Sequence, residues 1–189
     1  LDKIRGTGVQ AREAGGITQH IGASFLPTET LKKVCGPLFA KMGGANQEIP
    51  GLLVIDTPGH EVFTNLRARG GSAADIAILV VDVNRGFQPQ TNESLKILQA
   101  RKVPFVIALN KVDMVSGWKK NPTTKFISQS VKEQDQFVQT ALDELLYNVV
   151  GTLSVLGYNS EAFYRVKDFL KEVAIVPVSA RSGEGMPEL

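Results

Sequence analysis

The chain has 189 residues, 43% of them apolar and 21% charged, which suits one globular domain with a real core and argues against disorder. Twenty-one Lys and Arg against nineteen Asp and Glu leave a net charge of +2, so composition shows no broad basic footprint of the nucleic-acid-binding kind. A single cysteine, Cys35, excludes an internal disulfide, and no apolar run approaches the ~20 residues that cross a bilayer. A cytoplasmic protein without a membrane partner is the plain expectation.

The elements follow in order. A weak strand is predicted over Ile21 to Leu26. Four short Val- and Ile-rich runs read as strands: Leu52 to Ile55, Ile76 to Val83, Phe105 to Leu109 and Val173 to Val178. Runs that are apolar on both faces suit parallel strands buried between helix layers. Thr91 to Gln99 reads as a helix with Thr91 as its N-cap. Ser116 to Ser128 is the least regular stretch and is expected as an exposed loop. Val138, Ala141, Leu142, Leu145, Leu146, Val149, Val150 and Leu153 form one helical stripe, a core-facing pattern. Asn159 and Ser160 are expected to cap a further helix carrying Phe163, Val166 and Leu170. Alternating strands and helices predict an α/β three-layer sandwich with a mostly parallel sheet, over residues 1–189 as a single domain. Ligands of such sheets bind beyond the carboxyl ends of the strands.

Polar residues stand at those ends. Asp56-Thr57-Pro58-Gly59-His60 follows the run ending at Ile55. An aspartate there can hold Mg²⁺ beside a nucleotide's phosphates, and Gly59 lets its N–H approach a phosphate oxygen. Asn110-Lys111-Val112-Asp113 follows Leu109. A carboxylate at Asp113 can accept both N1–H and the 2-amino group of guanine, which adenine cannot offer as a pair. The stem of Lys111 can lie over the base, and Asn110 can tie the loop to its neighbours. Ser179-Ala180-Arg181 follows Val178, where a free N–H can donate to guanine O6. Gly15-Gly16-Ile17-Thr18 supplies a threonine suited to Mg²⁺ and a phosphate in a loop that orders with the γ-phosphate. Each pattern alone is also an ordinary polar turn. The four together, in this order, are not coincidence.

These motifs look like the signature of translational GTPases. The stretches Arg12 to Ala23 and Gly51 to Gln90, with Arg67-Ala68-Arg69-Gly70-Gly71 inside the second, resemble initiation factor two and its five-B relatives. Asn110 to Trp118 and the long helix beyond resemble the archaeal and eukaryotic branch. The resemblance covers essentially the whole chain. It implies a P-loop GTPase-like fold and GTP hydrolysis during joining of ribosomal subunits around initiator tRNA, with large-subunit rRNA as a contact and a monomeric factor. It further implies Thr18 and Asp56 on Mg²⁺, Gly59 on the γ-phosphate, His60 orienting the attacking water, and Ile17 as an apolar gate for that histidine. Small signalling GTPases carry Gln at this position, so His60 itself favours a translation factor.

One departure is plain. No Gly-x-x-x-x-Gly-Lys-Ser/Thr motif occurs in these 189 residues, although its backbone N–H groups cradle the phosphates throughout the family. In the family that loop, and the first strand before it, precede the segment matching Leu1 to Gly6. The chain begins without Met and ends in Gly185-Met186-Pro187-Glu188-Leu189, which reads as the start of another element. A fragment at both ends, marginally folded and binding GTP poorly by itself, is expected. The alternatives to a GTPase are a nucleotide-free interaction fragment and an elongation-type factor.

Overall fold

A computed structural model describes residues 2–5, 22–41, 49–56 and 74–189. Thr18, Ile17, Gly59 and His60 therefore lie outside the described residues. The chain divides into two compact units, Leu1–Ala74 and Asp75–Leu189.

In the first unit, β1 (Gly22–Pro27) pairs antiparallel with β2 (Gly51–Asp56), with Gly22 opposite Asp56 and Pro27 opposite Gly51. Three short helices accompany them: α1 (Asp2–Arg5), α2 (Thr28–Cys35) and α3 (Pro37–Lys41). The predicted strands at Ile21 to Leu26 and Leu52 to Ile55 are both present within a residue or two, but the second is corrected in kind: it pairs antiparallel with β1, with Leu52 and Leu53 exposed, and is not a buried parallel strand.

The second unit is an α/β layer structure on a four-stranded, wholly parallel sheet. Its strands are β3 (Ala77–Asp82), β4 (Phe105–Asn110), β5 (Ser160–Ala162) and β6 (Val173–Pro177), in the order β3-β4-β6-β5. Between them run α4 (Pro89–Arg101), α5 (Ile127–Lys132) and α6 (Gln136–Val155). One face of the sheet presents Leu79 and Val81, Phe105, Ile107 and Leu109, Ile175 and Ala162, and it packs into a single core with α4 and α6. The predicted stripe of α6 supplies Val138, Leu142, Leu146, Val149 and Leu153, each 2% exposed or less. Full burial of such side chains is worth about 1.5–3 kcal/mol apiece, so this helix fixes the unit. On the other face Ala108, Val176 and Val178 meet Met186 and Leu189 from the C-terminal turns. Ile78 and Val80, on that same face, are about half exposed.

Three expectations are corrected. Thr91 is not the N-cap of α4. Gln88 is, with Pro89 at the first helical position, and Thr91 sits one turn in, accepting the Gln88 N–H. No helix follows Asn159. The short strand β5 forms instead, because Ser160 to Ala162 pairs along β6, and turns follow it. Arg165 then ties those turns to α6 through a two-pronged contact with Asp143, at 3.0 and 2.9 Å. Finally, the stretch Ser116 to Ser128 is not simply an exposed loop. Asn121 is 3% exposed and Ile127 fully buried. The N-terminus of α5 is closed by a distant residue, since Glu188 accepts the N–H groups of Ile127 and Ser128 at 2.9 and 3.0 Å.

Candidate guanine-recognition site

Parallel register sets Asp82 beside Asn110 at the carboxyl ends of β3 and β4, and Ser179 lies two residues past the end of β6. Five of the predicted residues gather on this rim: Asn110, Lys111, Asp113, Ser179 and Ala180.

The turn after β4 is built by backbone conformation. Lys111 takes a left-handed conformation (φ 71°, ψ 34°), uncommon for a residue with a Cβ, and opens a single 3-10 turn over Val112–Met114. Val112 is fully buried, and its N–H donates to the Val178 carbonyl at 3.2 Å. The loop after β4 is thus stitched to the end of β6. Side chains complete the seam. Asn110 Oδ1 accepts the N–H of Lys111 at 2.8 Å and the N–H of Ala180 at 3.0 Å. The role expected of Asn110, tying this loop to its neighbours, is therefore seen. The same bond changes the expectation for Ala180. Its N–H is engaged by Asn110 and is not the free donor that was expected.

Asp113 is held from one side. The Ser179 hydroxyl donates to Asp113 Oδ1 at 2.6 Å and accepts the Ser182 N–H at 3.0 Å. A carboxylate oxygen has two acceptor positions, so this bond orients Asp113 without exhausting it. Ser179 is itself fully buried.

Sequence reasoning missed Asp82. It lies inside the run Ile76 to Val83, and a carboxylate near the end of an apolar strand run is the signal that finds it. Lys111 Nζ reaches Asp82 Oδ2 at 2.7 Å, and the Asn84 N–H donates to Oδ1 at 2.9 Å. Burial pushes the Asp82 carboxyl up, but the bonds from Lys111 and from the backbone of Asn84 and Arg85 outweigh it and hold it below the ordinary carboxylate value of 3.8. A depressed folded-state value gives stability that is fully present above the unfolded value and is lost as pH falls through the folded one. Asp82→Asn is therefore expected to cost about 1 kcal/mol at pH ~7, a figure kept small because Lys111 is half exposed. The gap between variant and wild type should close below about pH 4. Urea unfolding at both pH values measures it, and a gap independent of pH contradicts this account.

In the first unit, Asp56 ends β2 as predicted, and Arg5 Nη1 lies 4.0 Å from its Oδ2. A single carboxylate at a strand end fits a Mg²⁺ site, which takes one or two such groups and completes its shell with phosphate oxygens and water. The arginine competes for one of those oxygens. Among the described residues no group of three or more potential metal ligands occurs.

The model of the elongation factor Tu GTP binding domain matches residues 6–189. The chain belongs to the elongation factor Tu GTP-binding domain family. Within that family it is 58% identical, over all 189 residues, to a probable translation initiation factor IF-2 of Sulfurisphaera tokodaii. It is 56% identical to the corresponding protein of Aeropyrum pernix. The crystal structure of GDP-bound aIF5B from Aeropyrum pernix superposes on the whole chain with a TM-score of 0.80 at 52% identity. The chain spans about a third of these relatives' lengths, 31%, 30% and 31% in that order. The predicted GTPase-like α/β fold with a parallel sheet is thereby established for this GTP-binding domain.

Proposed function

We propose that residues 1–189 form the GTP-binding and GTP-hydrolysing domain of an archaeal-type translation initiation factor that promotes ribosomal subunit joining in the cytoplasm. The observation that carries this is the seam at the sheet's carboxyl rim. Asn110, Lys111 and Asp113 meet Ser179 and Ala180 there, in a chain more than half identical to proteins named as initiation factors.

In this reading Asp113 accepts N1–H and the 2-amino group of guanine, and the stem of Lys111 covers the base. Ala180 shares its N–H between Asn110 and O6. Thr18 and Asp56 hold Mg²⁺, which when bound supplies positive charge to the phosphate oxygens. Gly59 meets the γ-phosphate. His60 orients the attacking water once the ribosome moves it inward, and Ile17 keeps it out until then. Large-subunit rRNA and an initiator tRNA complex are the partners of the complete factor, which acts as a monomer. Positioning and charge account for most of the rate of such a phosphoryl transfer.

The phosphate-gripping loop is not within these residues, and its strand belongs in the middle of the family's sheet. This feature favours a second reading, an interaction fragment that no longer turns over nucleotide. Ribosome-stimulated GTP hydrolysis decides between them. With the family's upstream strand and loop joined to Leu1, turnover that rises on adding ribosomes is expected. Turnover indifferent to ribosomes in that polypeptide refutes the initiation-factor reading.

A further inference from the structure

Glu184 is the one charged residue among the described residues that is wholly enclosed, at 0% exposure. Burying a carboxylate is costly unless donors meet it, so its surroundings are informative. Ser182 Oγ donates to Glu184 Oε2 at 2.6 Å, and the Asn121 N–H donates to Oε1 at 3.2 Å. The backbone of Glu184 takes part as well, accepting the Ser179 N–H at 2.8 Å. The next residue fixes the turn. Gly185 has φ 79°, a Cβ there would collide with the Pro177 carbonyl oxygen, and its N–H donates to the Lys125 carbonyl at 2.8 Å.

From Glu184 a directed chain of hydrogen bonds leads to the base-reading carboxylate. The Ser182 hydroxyl points its proton at Glu184, and the Ser182 N–H donates to Ser179 Oγ at 3.0 Å. With that N–H against its oxygen, the Ser179 hydroxyl directs its own proton to Asp113 Oδ1 at 2.6 Å. The carboxylate at each end sets the direction of the hydroxyl that meets it, and the Ser182 backbone N–H is the link between the two hydroxyl groups. Asn121 brings in the far side. Its Oδ1 accepts from Thr123 N–H and Oγ and from Thr124 N–H, and its amide group bonds Glu133. The stretch Ser116 to Ser128, expected as an exposed loop, thus supplies a donor to this buried carboxylate through Asn121.

We infer that Glu184 is a positioning residue for guanine specificity. By fixing Ser182 and Ser179 it sets the rotation of Asp113, and so decides whether both carboxylate oxygens meet the N1–H and 2-amino edge. This rests on the reading of Asp113 as the guanine acceptor. Glu184 touches no base atom itself.

The test is base discrimination by the 189-residue chain, read as the ratio of GDP to IDP affinity in ¹⁵N NMR titrations carried to millimolar nucleotide. IDP lacks the 2-amino group and keeps everything else. A role in folding alone weakens both ligands equally and leaves the ratio untouched; a role in orienting Asp113 moves the ratio. Glu184→Gln keeps the size of the side chain but can offer only one acceptor oxygen where Ser182 and Asn121 need two. It is expected to reduce the GDP preference ~10-fold, the effect of about one hydrogen bond to a charged group. Ser182→Ala removes the hydroxyl that ties this turn to Glu184 while keeping the backbone N–H on Ser179 and the buried carboxylate, and should act in the same direction if the first variant does not fold. A GDP preference equal to wild type in either folded variant overturns the inference. Absence of any GDP preference in the wild-type chain refutes the reading of Asp113 itself, while Asp113→Ala abolishing a clear wild-type preference upholds that reading whatever Glu184 does.

Discussion

Asp113→Asn is expected to turn a guanine site into a xanthine site. A carboxylate presents two acceptors to N1–H and the 2-amino group. An amide presents one acceptor and one donor, and the donor then faces the 2-amino hydrogens. Xanthine carries a carbonyl in place of that amino group and so matches the amide. Two hydrogen bonds to a charged group are weakened or opposed, each worth about 1.5–3 kcal/mol, so GDP affinity should fall roughly 100- to 10,000-fold while XDP gains. The fold should survive the change, because the amide oxygen can still accept the Ser179 hydroxyl that now holds Oδ1 at 2.6 Å. Competition titration with GDP and XDP, on the polypeptide that joins the family's upstream strand and loop to Leu1, measures both arms. Equal GDP binding by variant and wild type removes Asp113 from base recognition.

His60→Ala carries the second large effect. If His60 orients the attacking water only when the ribosome is engaged, its removal costs transition-state stabilisation and little ground-state binding. Then kcat and kcat/KM for ribosome-stimulated GTP hydrolysis fall together, by about 100- to 10,000-fold. Single-turnover hydrolysis with and without ribosomes, on the polypeptide that contains this chain and its phosphate loop, reads this directly. Stimulated turnover that persists in the variant counts against the mechanism.

The proposed chemistry has a base half and a phosphate half. At the proposed base half, Asn110 to Ala180, Ser179 to Asp113 and Lys111 to Asp82 are short polar contacts. The phosphate half has Asp56 at the end of β2, facing Arg5. Arg5 Nε and Nη2 are buried and have no hydrogen-bond partner among the described residues, beside the carboxylate proposed to share Mg²⁺.

Local sequence determined the elements. Short Val- and Ile-rich runs became β3, β4 and β6 within a residue or two of their predicted ends, because a strand apolar on both sides has few other places to go. The stripe from Val138 to Leu153 became α6 for the same reason at a period of 3.6. The gathering of Asn110, Asp113 and Ser179 was legible too, since a parallel sheet delivers the carboxyl ends of β4 and β6 to one rim. Tertiary structure alone decided how those residues are held. Ser179 meets Asp113 across 66 positions and Asn110 meets Ala180 across 70, and no local periodicity encodes such a pairing. For the same reason the burial of Glu184, the inward turn of Asn121 and the cap that Glu188 places on α5 were invisible in the sequence. The strand at Ser160 to Ala162 went unseen as well, because only the neighbouring β6 makes three such residues a strand. Periodicity reports which side of an element is apolar; the polar partners of a buried group are chosen by whichever loops the fold brings beside it.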